Sequence, residues 1–434
     1  MIFDLDGFKN ALHNGFLRPC SQSYDYVDVA KFEKFQRGIK WKNCKIEETF
    51  QELRQRLGRN YYKNIVLAQS SALNYAALQF PAYSFLLTDD LTDDWLAIVD
   101  FHKKHARDHS LHQPLTAYVA AKLLGFGVSD DSLPIPVSHE NLLDFCVDTI
   151  LTKKETRYIL DLALKYGLPN NRSETSKMVR EFWKKLFYRT VVLSALFHDI
   201  GYPWQYVDRI GSSLRKSVNN LHQGGNVVSQ IIDQYKDRMV FLPLRHYGTE
   251  HINEPVFEKE DLEKLTEASM DTHGFLGAIA FLTLNDAIRN SVTDSPLAKI
   301  HQFTVEWAAM GIFMHDMEGK HTKMFPKLRL SFEQDPLSSM IALADYLEEF
   351  NRPKAQFNPR RKGSKTKYRF DCSQVEVEAT NEGVLKVEMK YKKNASKAIA
   401  AKFKTEETEN YFNPTGGYVD LSPLGIRKVE YVQV

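Results

Sequence analysis

The chain has 434 residues, 43% hydrophobic and 26% charged, the composition of an ordinary globular protein rather than a disordered or fibrous one. This length supports one large domain, or a large and a small one, with a core that needs no covalent staples. Cys20, Cys44, Cys146 and Cys372 are scattered with no CxxC pair, which argues against a disulfide framework or a thiolate zinc site and suits a reducing cytosol. The net charge of +2 is unevenly spread, with 17 Lys/Arg against 10 Asp/Glu from Arg352 onward and 40 against 45 before it. Such asymmetry can mark a polyanion-facing segment. No basic segment followed by an apolar one opens the chain. The most apolar long stretch, IVLAQSSALNYAALQFPAYSFLL, carries Gln, Ser, Asn and Pro and reads as buried protein. The expectation is a cytoplasmic protein without a membrane partner.

In chain order, the opening MIFDLDGF resembles the Asp-x-Asp motif of the haloacid dehalogenase phosphatases. That chemistry needs its first Asp at the end of a buried parallel strand, with alternating strands and helices after it. Only three residues precede Asp4, too few for a central strand, and the chain beyond Asp6 turns helical, so Asp4 and Asp6 are not expected to react. Residues 1–92 read as an N-terminal helical extension packed on the core, with EETFQELRQRLGRNYYKNIVLAQSSALNYAAL its main helix. TDDLTDDW, near residue 90, reads as a helix cap with a charged first turn.

Residues 93–352 are dominated by apolar residues at helical spacing. PLTAYVAAKLLGFG predicts a helix with Pro114 in its first turn and its end at Gly125. EFWKKLFYRTVVLSALFHDIGYP predicts a long helix ending near Gly201-Tyr202-Pro203. DLEKLTEASMDTHGFLGAIAFLTLNDAIRN, HQFTVEWAAMGIFMHDM and DPLSSMIALADYLEEF predict three more helical segments. Residues 353–370 read as a basic linker, since eight basic residues and no acid occur from Arg352 to Arg369, with prolines and a glycine among them. This 352–369 run could contact phosphates, with Tyr368 and Phe370 available for base stacking. Residues 371–434 form a small α+β module: VEVEA, VLKVEMKY and KVEYVQV alternate like half-buried strands around the helical NASKAIAAKFKTEETENYF. The fold class expected is mainly α, a helical bundle with a small C-terminal α+β module.

The chemistry-bearing residues sit on those apolar helices. His198-Asp199 ends the run VVLSALF, and His109 and His112 open another helix. His273 opens HGFLGAIAFL, His315 ends WAAMGIFM in a second His-Asp pair with Asp316, and Asp345 lies within SSMIALADYLEEF. Burying such groups is costly unless they are paired or hold a metal. Neutral imidazoles and carboxylates suit Mn, Fe, Co, Ni, Zn or Mg. One or two such cations can clamp phosphoryl oxygens and activate water at neutral pH. Ligands on separate helices can be gathered by bundle packing. Between His112 and His109, His112 is preferred because the apolar helix starts directly after it. His102, His105, His222, His301 and His321 are expected at the surface or behind the site. His246 and His251, in RHYGTEHINEP, read first as a surface loop and second as a proton donor or substrate contact. P-loop, dinucleotide and nucleophile-elbow motifs are absent.

The order His…His-Asp…His…His…Asp resembles the HD superfamily of metal-dependent phosphohydrolases. The resemblance is carried by His112 with HQPLTAYVAAKL, His198-Asp199 in LFHDIGYP, His273 in THGFLGA, His315, and Asp345 in LSSMIALADYLEEFNRP, and covers roughly residues 100 to 353. It implies an HD domain over 93–352, in which His112, His198, Asp199 and Asp345 surround one divalent cation. His273 and His315 would hold a second, with Asp199 bridging. The implied reaction is hydrolysis of a nucleotide phosphoester or phosphoanhydride by a metal-activated water, with His198, Asp199 and His246 as the candidate catalytic residues. The extra histidines are similar to those of the two-metal members, the Cas3-type helical nucleases and the cyclic-dinucleotide phosphodiesterases. The alternatives are therefore a nuclease on single-stranded nucleic acid and a non-catalytic, ligand-sensing HD module. Tyr202-Pro203 stands where some members carry Lys. The partner implied is a nucleotide or nucleic-acid substrate, and oligomeric state is left open.

Overall fold

A computed structural model describes residues 1–17, 109–125, 132–135, 141–152, 172–202, 204–205, 230–239, 259–289, 296–317, 329–350, 372–391 and 397–434. The main helix expected in the first 92 residues, the acidic cluster near residue 90 and the basic 352–369 run lie outside these residues. The described part is mainly helical with a small mixed sheet. None of its helices is long and apolar enough to cross a membrane.

The body is built from α1 (Leu5–His13), α2 (His109–Leu124), α3 (Leu142–Leu151), α4 (Arg172–Phe197), α5 (Lys259–Ser269), α6 (His273–Arg289), α7 (Pro296–Met314) and α8 (Pro336–Leu347). α4 is the axis, packing against α2, α3, α7 and α8, while α6 packs on α7. Its last eight residues, Thr190–Phe197, are buried on every side, as are Thr304–Met314 of α7 and Pro336–Ala344 of α8. Helical segments that are mostly apolar and buried on every side lie at the centre of a domain. The aromatic contacts at the crossing of α4 and α7 include Trp183 edge-on to Trp307 at 6.4 Å and Phe187 tilted on Trp307 at 5.8 Å. Fully burying side chains of this size contributes about 1.5–3 kcal/mol each.

Helix boundaries refine the sequence expectations. α2 starts at or before His109, so Pro114 sits inside the helix rather than in its first turn. Gly125, at φ +64°, ends it as expected. The segment expected as one helix from Asp261 to Asn290 is two, broken at Met270–Thr272. There Thr272 accepts from Phe275 N–H at 3.2 Å and caps the new helix. α8 begins at Asp335, whose carboxylate accepts from Ser338 N–H at 3.0 Å, with Pro336 in the first position.

The C-terminal module contains β3 (Cys372–Ala379), β4 (Val384–Tyr391), α9 (Lys397–Phe412), β5 (Val419–Asp420) and β6 (Lys428–Gln433). β3 and β4 are an antiparallel hairpin and β6 joins β4 in parallel. The sheet has a fourth strand from the far end of the chain: β1 (Ile2–Asp4) pairs antiparallel with β3, giving the order β1-β3-β4-β6. The first residues are therefore an edge strand of the C-terminal sheet, not part of a purely helical extension. Three residues are too few for a central strand but enough for an edge, with Phe3 inserted into the core and the Met1 ammonium donating to Val377 O at 2.7 Å. Asp4, the first Asp of the phosphatase-like motif, caps α1 by accepting from Gly7 N–H at 2.7 Å. β2 (Leu330–Ser331), just before α8, pairs in parallel with β5 and ties the module to the helical body.

Candidate metal centre

Four histidines and two aspartates converge where α2, α4, α6, α7 and α8 meet. α4 delivers His198-Asp199 on the turn after Phe197, and α7 delivers His315-Asp316 on the turn after Met314. His112 comes from the start of α2, His273 is the first residue of α6, and Asp345 lies in the last turn of α8.

His112 Nε2 lies 3.1 Å from His198 Nε2, 2.8 Å from Asp345 Oδ1 and 3.8 Å from Asp199 Oδ2. His198 Nε2 lies 3.6 Å from both Asp345 Oδ1 and Asp199 Oδ2. On the other side of Asp199, His273 Nε2 lies 3.2 Å from Oδ1 and 3.2 Å from His315 Nε2, and His315 Nε2 lies 3.7 Å from the same oxygen. Asp199 thus faces one histidine pair with each carboxylate oxygen. His112, His198 and Asp199, and likewise Asp199, His273 and His315, can hold a metal ion.

The far nitrogen of every ring is fixed. His198 Nδ1–H donates to Ala195 O at 2.8 Å and His315 Nδ1–H to Ile312 O at 2.6 Å, each the carbonyl three residues back on its own helix. A carbonyl only accepts, so these nitrogens carry the proton. His112 Nδ1–H is taken by the Glu348 carboxylate and His273 Nδ1–H by Asp316 Oδ2 at 2.8 Å. The neutral form of each ring therefore turns a bare Nε2 lone pair inward. Two such lone pairs at 3.1 Å, and two more at 3.2 Å, repel each other beside carboxylate oxygens unless positive charge sits between them. Such a donor set could hold a metal ion, with Glu348 and Asp316 as carboxylates behind two of its histidines.

The local field points the same way. Burial works against a proton on His273, but Asp316 and Asp199 outweigh it and push its pKa up to about 9. Burial would raise the Asp345 carboxyl, yet the imidazoles of His112 and His198 hold it well below the usual carboxylate range. Asp316 is likewise lowered, burial being outweighed by His273. Asp345 and Asp316 are thus held ionised beside the imidazoles.

Two glycines permit the approach of α6. A β-carbon on Gly201 would overlap the His273 carbonyl oxygen, and one on Gly274 would sit 2.7 Å from Asp316 Cβ and 2.9 Å from Phe313 O. The HGFLG start of α6 is flat because it packs directly on both His-Asp turns. Tyr202 stacks on the His273 ring, with centroids 4.1 Å apart and planes at 12°.

All six expected metal ligands lie in this one cluster. His246 and His251, as well as His102, His105, His222 and His321, lie outside the described residues. His109 and His301 start α2 and lie in α7, with side chains also outside them. Sequence reasoning missed the outer carboxylates, Glu348 and Asp316. Both carried a signal. Glu348 is three residues after Asp345, on the same helical face, and Asp316 completes a second His-Asp pair. Comparison of the chain with protein-family models, with curated proteins and with solved structures gave no match.

Proposed function

We propose that this chain is a metal-dependent phosphohydrolase of HD type that hydrolyses a nucleotide phosphoester or phosphoanhydride. The observation that carries this reading is Asp199, one carboxylate set between two pairs of inward-facing imidazole nitrogens. His112, His198, Asp199 and Asp345 would hold one divalent cation, and Asp199, His273 and His315 a second. When bound, such cations supply charge for phosphoryl oxygens and lower the pKa of water towards neutrality. The residues of the chain then have separable tasks. Asp199 would offer one carboxylate oxygen to each position. Glu348 and Asp316 keep His112 and His273 in the tautomer that binds through Nε2. Burial of His112, His198, Asp199 and His315 excludes bulk water from the back of the site, since their side chains are at most 3% exposed. Asp345 and His273 are 23% and 15% exposed, so the phosphate group would enter between them.

The test is metal analysis of the purified protein with a turnover screen over deoxynucleoside triphosphates, cyclic dinucleotides and single-stranded DNA and RNA. Mn, Mg, Co or Ni would be added in turn, with Asp199→Ala as control. Turnover that needs metal and is lost in the variant supports the reading and names the substrate class. Hydrolysis confined to oligonucleotides, weakened by salt, would make the protein a nuclease. Bound metal without turnover on any substrate would leave a ligand-sensing module instead.

A further inference from the structure

The last turn of α8 presents two faces. Asp345 and Glu348 look inward to His112. Tyr346, and Glu349 just beyond the helix end, look outward to the C-terminal module. Tyr346 OH donates to Thr408 Oγ1 at 2.5 Å, because the Thr408 hydroxyl proton is already given to Lys404 O. The Tyr346 ring is edge-on to Phe412 at 4.8 Å. Glu349 pairs with Lys404 Nζ at 3.1 Å, and the same ammonium meets Glu407 at 2.6 Å and lies over the Tyr346 ring at 5.2 Å. Lys404 is only 5% exposed, and a buried ion pair of this kind fixes geometry because breaking it leaves a charge uncompensated.

The module reaches the other half of the cluster as well. Tyr418 OH donates to Met314 O, the carbonyl immediately before His315. Tyr418 is itself held by its backbone, its N–H donating to Asn410 O at 3.0 Å and its carbonyl accepting from Leu330 N–H at 2.8 Å.

We propose that the C-terminal module is part of the framework of the metal centre, with Lys404 and Tyr418 as positioning residues, one behind each cation position. This rests on the reading of the site as a metal centre. Lys404 fixes the turn that carries Asp345 and Glu348. Tyr418 fixes the turn that carries His315 and Asp316. The module thereby acts on both cation positions without contributing a ligand to either.

The experiment uses the full chain, freed of metal and titrated with Co(II), read by calorimetry and by the visible d–d absorption that reports coordination geometry. Lys404→Met should weaken cobalt binding about 10-fold, the lower end of the roughly 10–100-fold range for groups behind metal ligands, and change the absorption spectrum. Lys404→Arg should restore both. Tyr418→Phe, which removes one oxygen, should alter the spectrum separately, and the double variant should add the two effects. Should Lys404→Met fail to fold, Glu349→Gln and Tyr418→Phe carry the same test. Folded variants with wild-type cobalt affinity and spectrum would overturn the proposal even if the enzyme turns over normally. Cobalt bound tightly by the wild type without hydrolysis would sink the phosphohydrolase reading and leave this one standing. A wild type that takes up no cobalt overturns both.

Discussion

The turns after Phe197 and after Met314 carry the same dipeptide on the same kind of support. Each ends a buried helix, and each histidine gives its Nδ1 proton to the carbonyl three residues back, 2.8 Å away in one and 2.6 Å in the other. The aspartates part company. Asp199 turns inward and faces all four imidazoles. Asp316 turns outward, accepting from His273 Nδ1–H at 2.8 Å and from Gly274 N–H at 3.1 Å. The difference reflects what else is available. His112 already has a carboxylate behind it in Glu348, so Asp199 is left for the centre, whereas among the described residues no other helix supplies that group to His273. A His-Asp pair is therefore only half a definition. The histidine's role is set by its helix end, the aspartate's by the neighbouring helix.

The largest expected effect comes from exchanging the two aspartates for alanine one at a time. On the proposed reading, Asp199→Ala removes a ligand from both positions and should abolish stoichiometric metal binding, together with any metal-dependent turnover. Asp316→Ala should cost about 10–100-fold in metal affinity and leave the His112 side intact. Metal analysis and titration would show it. Equal losses in the two variants would contradict the division of labour. The outer carboxylates can then be compared with each other. Glu348→Gln should weaken the position of His112 and Asp345, and Asp316→Asn that of His273 and His315, each about 10-fold, with the other position unmoved. A variant that perturbs both positions alike would mean that the two outer carboxylates are not separable. Gly201→Ala tests the contact between the first turn and α6. Its new β-carbon must displace the His273 backbone, at a cost of about 1–3 kcal/mol for overpacking, read as a lower urea midpoint with unchanged slope. Unchanged stability would show that α6 has room to retreat.

Much of this was legible because the clustered histidines and aspartates end, or lie within, helical segments that are buried on every side and mostly apolar. His198, His315 and Asp345 stand out for that reason, and their order along the chain gave the metal-site expectation. The outer shell was less legible. Glu348 sits in DYLEEF, where two adjacent glutamates look like solvated charge, yet one faces His112 and the other Lys404. Nothing in a one-dimensional pattern says that both flanks of that turn are covered, since the cover on one side is the helix α9, which lies beyond an intervening hairpin. The same applies to β1. Its three residues have no period to read, and their partner is at Gln374–Glu376. The break at Met270–Thr272 was missed because the apolar spacing runs on across it, while the cap that starts the next helix is a single threonine.

That threonine supplies the smallest test of the comparison. Thr272 Oγ1 accepts from Phe275 N–H at 3.2 Å and donates to Ser269 O at 2.8 Å, so it both starts α6 and closes α5. Asp335 does the equivalent for α8, accepting from Ser338 N–H at 3.0 Å. Replacing either by alanine should cost about 1 kcal/mol, the usual worth of a helix N-cap, measured by urea unfolding. Their effects on metal should differ. His273 is the first residue after Thr272, so fraying there loosens a ligand directly. Asp345 lies ten residues after Asp335, beyond two buried turns that hold its end of α8 in place. Thr272→Ala should therefore weaken cobalt binding at the His273 and His315 position by a few-fold, alongside its stability loss, and Asp335→Ala should lower stability alone. Were Asp335→Ala to weaken metal binding as much as Thr272→Ala, the two ends of α8 would be coupled, and the rigidity assigned to its buried face would be wrong.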